Sequence, residues 1–317
     1  MNVPGSRRPA VPFAIGAGLL SAALFLTPRL AGLVPILALP LTIVGFLAAL
    51  PLLAVRLRGR FFNALLSSLL AFVTIYAADS PTGAVSFLIL FAGWALVAGE
   101  VMSRKQSVIA GCAAGLAVFA AEALAIVALE GSEAVRAALA TPEIQASFDQ
   151  WAAQASLAKE EAAATIERVR SGIVALYPSL SVISAASIVA LNAVAIGRVI
   201  DTLKPRGFRR HELLGLRWPL ALVVAFVVSG ALLLVPDLQN TGWNGLVITM
   251  FLFLLQGLSV FTFTLSRLFS GELIRALLVM SSLLGPWAVL HSLVGLFDQW
   301  FDFRARLVAE PPPDPNA

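Results

Sequence analysis

The chain has 317 residues, of which 59% are hydrophobic and 13% charged, well above the roughly 45–50% apolar usage of soluble domains. That composition excludes an ordinary water-soluble domain and marks a membrane protein. The formal charge of +4 does not point to nucleic acid, because the bases gather in short loops between apolar runs, as the positive-inside rule describes.

Runs long enough to cross about 30 Å of hydrocarbon need about 20 apolar residues each. Eight or nine are predicted, over 12–28, 30–55, 61–78, 83–99, 107–129, 173–197, 218–235, 243–265 and 274–296. The Leu, Ala and Val runs are continuous and lack the alternation of an outer-membrane barrel. The expected fold class is therefore all-α: a polytopic integral membrane helix bundle of eight or nine transmembrane helices, with one polar amphipathic helix between the fifth and sixth.

The opening "SRRPAVPFAIGAGLLSAALFL" reads as an uncleaved first helix rather than a signal peptide. Pro9 and Ala10 fit a twin-arginine signal poorly, and a second apolar run follows at once. Ala14, Gly18 and Ala22 form a small-x-x-x-small ladder on this helix, and Gly111 and Gly115 repeat the pattern on the fifth. Such faces let helices approach closely, either within the bundle or by docking onto another membrane subunit.

The second run carries Pro35, Pro40 and Pro51, each removing a backbone donor. It is expected to be kinked or partly re-entrant. Irregular backbone at that depth must be buried in protein or line a wet cavity, so the run is one place for a solute site, with plain kinking as the blander reading.

Residues 131–171 are the one sizeable polar segment. Thr141, Pro142 and Glu143 read as an N-cap, a first-turn proline and an acid favoured by the helix dipole. Ile144, Phe148, Trp151, Ala155, Ala158, Ala162, Ile166 and Val169 then form one apolar stripe, predicting a single amphipathic helix of about 28 residues. Its excess of acids argues against anionic lipid. The expected organisation is N-terminal membrane helices over 1–130, an extracytoplasmic helix over 131–171, C-terminal membrane helices with an interfacial end over 172–307, and a disordered tail over 308–317.

The chain offers no recognisable catalytic centre and is not expected to be an enzyme. None of its lysines sits in G-x-x-x-x-G-K-[ST], so any ATP energy must come from a partner. His211 and His291 are far apart, no H-E-x-x-H occurs, and Cys112 stands alone, so no metal site or cofactor is implied. What remains is polar residues within apolar runs, each costing on the order of 1–3 kcal/mol if left facing lipid. Gln256, Asn192, Glu122 and His291 are the candidates to line a solute site, with interhelical hydrogen bonds as the alternative for the two amides. Glu122 is read as near enough to its helix end to reach the polar boundary.

The last run closes on "GLFDQWFDFRARL", residues 295–307. On helical spacing Asp298, Asp302 and Arg306 share one face, while Phe297, Trp300, Phe301 and Arg304 share the other. One reading is an interfacial stop, since aromatic rings and arginines suit the headgroup boundary. The sharper reading is a lock built from Asp298, Trp300, Asp302 and Arg304, in which an acid binds Arg304 or a base elsewhere and fixes the last helix against the bundle.

The second half resembles the YybS-like family of predicted bacterial membrane proteins, a domain of unknown function numbered 2232. The resemblance rests on "LYPSLSVISAASIVALNAVAIGRVI", "RWPLALVVAFVVSG", "LFLLQGLSVFTF" and above all "LVGLFDQWFDFRARL". That family is distantly similar to the substrate-binding subunits of energy-coupling-factor transporters. The similarity implies a small-solute-binding transport subunit that lacks its own ATPase and works with a transmembrane coupling subunit and ATPases. A non-transporting membrane scaffold or assembly protein is the alternative. The expected location is the bacterial cytoplasmic (inner) membrane, with the lipid bilayer as the obligatory partner and no nucleic acid.

Fifteen of the 22 basic residues fall in cytoplasmic segments if the N-terminus lies inside, including Arg56, Arg58, Arg60, Arg104, Lys105 and Arg217. Residues 131–171 are then extracytoplasmic and residues 198–217 cytoplasmic. Single cysteines at Ser156 and Gly207, in a Cys112→Ala background, are predicted to react with an impermeant thiol reagent on intact cells at 156 alone. Labelling at 207 with protection at 156 would reverse the topology.

Overall fold

The computed structural model describes residues 11–32, 38–155, 159–203, 212–283 and 286–308. Among these residues the protein is all-helical, 91% helix and without strands. The helices are α1 (Val11–Leu26), α2 (Ala38–Phe46), α3 (Leu50–Arg58), α4 (Phe61–Ala78), α5 (Pro81–Phe87), α6 (Trp94–Lys105) and α7 (Val108–Leu139). They continue with α8 (Pro142–Gln154), α9 (Lys159–Leu203), α10 (Ala221–Leu232), α11 (Gln239–Leu268), α12 (Glu272–Ser281), α13 (Trp287–Phe301) and α14 (Phe303–Val308).

Among the described residues, six helical stretches are long and apolar enough to span a membrane: Val11–Leu30, Pro40–Arg58, Phe61–Ala78, Pro81–Lys105, Glu160–Val199 and Pro236–Leu268. Val108–Glu122 and Ala221–Leu232 are apolar but shorter. The expected count of eight or nine is thus not reached by helix length. Apolarity alone does not register where prolines divide a run: Pro219 and Pro236 bracket α10, and Pro286 stands between α12 and α13, which split the single span expected over 274–296.

The amphipathic helix also differs from expectation. α8 ends at Gln154, Ala155 lies in a turn, and α9 starts at Lys159 and continues without interruption to Leu203. The apolar stripe of Ala162, Ile166 and Val169 therefore belongs to the head of a 45-residue helix. A periodic stripe does not establish continuity, since two successive helices can carry the same period, and Trp151 and Val169 on this stripe are exposed.

Two compact units divide the chain, residues 1–131 with 181–213, and residues 132–180 with 214–317. This cuts across the expected linear division, because α9 contributes its first part to one unit and its second part to the other. Residues 1–10, 33–37 with Pro35, most of the basic loop with His211, and the tail from 309 lie outside the described residues.

In the first unit, small residues set the spacing. Ala14 and Ala22 are fully buried, and a Cβ on Gly18 would stand 2.6 Å from the Ser67 carbonyl oxygen. Ser67 Oγ donates to the Ala14 carbonyl oxygen at 2.8 Å. A Cβ on Gly111 would overlap Met102, and one on Gly115 would come within 2.9 Å of the Trp94 ring. Both ladders are thereby occupied by helices of this chain, α4 for the first and α6 for the second. Glu100 binds Arg56 at 2.7 Å and Arg104 at 2.6 Å at one end of the bundle, and Arg29 meets Asp79 at 2.5 Å at the other.

The second span is broken for a traceable reason. Pro51 has no N–H for the Leu47 carbonyl, so residues 47–49 tighten into a 3-10 turn and the Leu50 N–H bonds Leu47 instead. That leaves the Phe46 carbonyl without its usual helical donor. Asn192 Nδ2, from α9, donates to it at 2.7 Å, and Ser21 Oγ from α1 donates to the Ala48 carbonyl at 2.8 Å. Pro40 sits in the first turn of α2, where a missing N–H costs nothing.

In the second unit Pro178 lies inside α9 and opens the same kind of gap. The Ser179 N–H donates to Asn244 Oδ1 at 2.9 Å, and Asn244 Nδ2 donates to the Ala175 carbonyl at 2.8 Å. The carboxamide on α11 thus stands between a donor and an acceptor that an unbroken helix would join directly. Arg170 on α9 bonds the Gln145 side chain and stacks over Phe148, holding α8 to α9.

Candidate functional site

The C-terminal sequence is organised around α11, against which α10 and α13 lie end to end. α10 follows its first half: the Phe226 ring meets Phe253 edge-on at 6.1 Å, and Gly242 and Gly245 abut Ser229. α13 follows its second half: a Cβ on Gly295 would overlap the Phe253 carbonyl oxygen and one on Gly257 that of His291, while the His291 ring lies 4.8 Å from Phe261. With 12 and 15 residues, at 1.5 Å per residue, α10 and α13 are each well short of about 30 Å. α11, with 30 residues, is the full crossing that both share.

Where the two short helices meet, a polar junction closes on Gln256. Pro219 keeps the residues before it extended, which leaves the peptide groups of Leu216–Trp218 without helical partners. The Trp218 N–H donates to Gln256 Oε1 at 3.0 Å. Gln299 Nε2 donates to the Trp218 carbonyl at 3.0 Å and to Gln256 Oε1 at 3.1 Å. Gln256 Nε2 donates to Asp298 Oδ2 at 3.0 Å. Both residues are buried, at 0% and 1% exposure, and the near-contact of Gly257 with α13 is what allows the two side chains to meet.

Asp298 also ties the end of its own helix. Asp302 adopts a left-handed conformation, φ 42°, which aspartate tolerates better than most residues. That turn brings the Phe303 N–H onto Asp298 Oδ1 at 3.0 Å and Arg304 onto Asp298 Oδ2 at 3.5 Å. Arg304 Nη2 donates onward to the Leu216 carbonyl at 2.8 Å. Burial pushes the Arg304 guanidinium below its ordinary value, Asp298 and Asp302 oppose that shift, and Arg217 adds to it. A guanidinium is basic enough to remain a cation despite that shift.

Several expectations change. The helical wheel put Arg304 on the face opposite Asp298 and paired Asp302 with Arg306. The helix ends at Phe301, so Asp302 instead faces Arg217 at 3.4 Å, half exposed, and Arg306 donates to the Phe301 carbonyl. Trp300, at 58% exposure, points outward with Phe297 and Phe301 and takes no part in the tie. Gln256 has both amide atoms engaged within the protein, Oε1 twice and Nε2 once.

Gln256 and His291 belong to the second unit, Asn192 and Glu122 to the first. His291 is 8% exposed and its Nε2 has no hydrogen-bond partner. Asn192 is fully buried, donates to Phe46 and Ile188, and leaves Oδ1 unpartnered. Glu122 abuts Gly93, midway along the apolar stretch Pro81–Lys105. Arg217, Trp218, Gln299 and Asn244 carry geometry that the sequence did not single out. A Trp-Pro step directly after a basic loop was the available signal for the first two.

If the Asp298 to Arg304 pair is a structural tie, Asp298→Ala should lower unfolding stability in detergent by about 3–5 kcal/mol, because a buried guanidinium is left uncompensated. Asp302→Ala, which removes an exposed partner, should cost no more than about 1 kcal/mol. Parent-like behaviour of Asp298→Ala and Arg304→Ala together would reduce the cluster to a boundary marker.

Against known proteins, no curated protein and no solved structure matches the chain. A family model described as "Predicted membrane protein (DUF2232)" matches residues 19–299, from within α1 to near the end of α13. With the helical spans and the junction that closes the last of them, this makes the chain a member of that family of membrane proteins.

Proposed function

We propose that the protein is a small-solute-binding subunit of the bacterial inner membrane, N-terminus cytoplasmic, that has no catalytic activity and is energised through a separate coupling subunit and ATPases. The observation that carries this reading is Asn192. Its Oδ1 is buried without a donor, beside a place in the first unit where a span is interrupted by a proline-driven turn. Interrupted helices are where membrane carriers expose polar groups to a cargo, and a lone amide oxygen selects a ligand with a hydrogen-bond donor. The transport reading that the sequence resemblance to the YybS-like family implies points in the same direction.

Native mass spectrometry of gently purified protein tests it. The parent should carry a small co-purifying molecule that is lost in Asn192→Leu. Bare parent ions, or a stable assembly whose members include no ATPase, would instead favour a scaffold.

A further inference from the structure

We propose that Glu122 is a reversible protonation site set midway along a membrane span, with the proton itself as its ligand. The geometry begins with the register between α6 and α7. Gly111 lies on Met102 and Ala98, Gly115 on Ala98 and Trp94, and the Phe119 ring stacks on Trp94 at 6.3 Å and 4°. α7 therefore runs antiparallel to α6, and the next position on that face is Glu122. A Cβ on Gly93 would stand 2.9 Å from Glu122 Oε1. Gly93 is the centre of the 25-residue span Pro81–Lys105, so close packing along the whole face holds the carboxyl there.

Two independent features converge on this point. Glu122 Oε2 is buried and has no hydrogen-bond partner. The chain it packs against is irregular: residues Leu88–Gly93 form a π-helical turn, a rare insertion that recurs at functional sites. The Leu88 carbonyl oxygen, five residues back on the same π-helical turn, lies 3.4 Å from the Cβ position on Gly93. The Leu90 carbonyl is already taken by the Trp94 indole N–H at 2.9 Å.

Among the described residues no counter-charge is placed against Glu122. On α6 the charged groups are Glu100, Arg104 and Lys105, at least seven residues or about 10 Å along the axis from Gly93, and Glu100 is engaged by Arg56 and Arg104. The π-helical turn itself contributes no titratable group. On α7 Cys112 precedes Glu122 by ten residues and Glu130 follows it by eight in sequence. An unpaired carboxylate in such surroundings takes up a proton, and ionisable groups within spans mark proton and ion pathways. Gly93 is the positioning residue, since a side chain there would displace the carboxyl. This inference does not depend on the solute reading, because a proton site serves a carrier and a membrane assembly alike.

Dicyclohexylcarbodiimide, an apolar reagent that modifies protonated carboxyls, tests it on the full-length protein in lipid nanodiscs, read by peptide mass spectrometry. Glu122 should be modified, with a rate that falls about tenfold per pH unit above its midpoint. Glu122→Gln should keep the fold and lose the adduct, while a water-soluble carbodiimide leaves Glu122 unmodified. Absence of a Glu122 adduct at every pH, or a rate unchanged between about pH 6 and pH 9, would overturn the proposal. Should Glu122→Gln fail to fold, the pH dependence in the parent still decides.

Discussion

A backbone group released by a proline inside an apolar span has no water to turn to, and the structure is shaped by how three such releases are closed. In each case a carboxamide from a helix distant in sequence supplies the missing partner. Asn192 serves the Phe46 carbonyl left by the turn before Pro51. Asn244 stands between Ser179 and Ala175 beside Pro178. Gln256 accepts from Trp218, the residue before Pro219. Unsatisfied peptide groups in hydrocarbon cost several kcal/mol each, so these three contacts are conditions for the spans to exist in their broken form. Asn and Gln suit the task because one side chain carries both a donor and an acceptor.

The third closure does more than the others. Because Gln256 also donates to Asp298, the start of α10 and the end of α13 are both fixed to the middle of α11. The glycines at 257 and 295 make this possible by removing the side chains that would hold the helices apart. Lipid tails are as apolar as leucine, so helix association within a membrane rests on close packing and hydrogen bonds. The junction combines both, with a buried ion pair added by the turn at Asp302. Such a pair is a weak source of net stability, yet losing one member is expensive, which makes the arrangement specific rather than merely strong.

The sequence made much of this legible one residue at a time. Composition gave a helical membrane protein, Pro51 marked a broken run, and Gln256, Asn192, Glu122 and Asp298 were conspicuous as polar groups among leucines. What it withheld was pairing. Gln256 and Asp298 are 42 positions apart, and no periodicity links them. The helical wheel failed at Arg304 because the left-handed residue at Asp302 ends the helix that the wheel assumed to continue. The last apolar run looked like one crossing because hydropathy averages over the turn before Pro286. The place of Glu122 against Gly93 was hidden because it is set by the register of α7 on α6, which only the packed glycines reveal.

The claim that carboxamides answer prolines is tested most directly by a double-mutant cycle at Pro178 and Asn244, measured by reversible unfolding in detergent. If Asn244 is needed because Pro178 opens α9, then Asn244→Leu should destabilise the parent but cost much less in a Pro178→Ala background, where the ladder can close on itself. A coupling of about 0.5–3 kcal/mol is the predicted result. Equal costs in the two backgrounds would mean that Asn244 and Pro178 act independently, and would contradict the account.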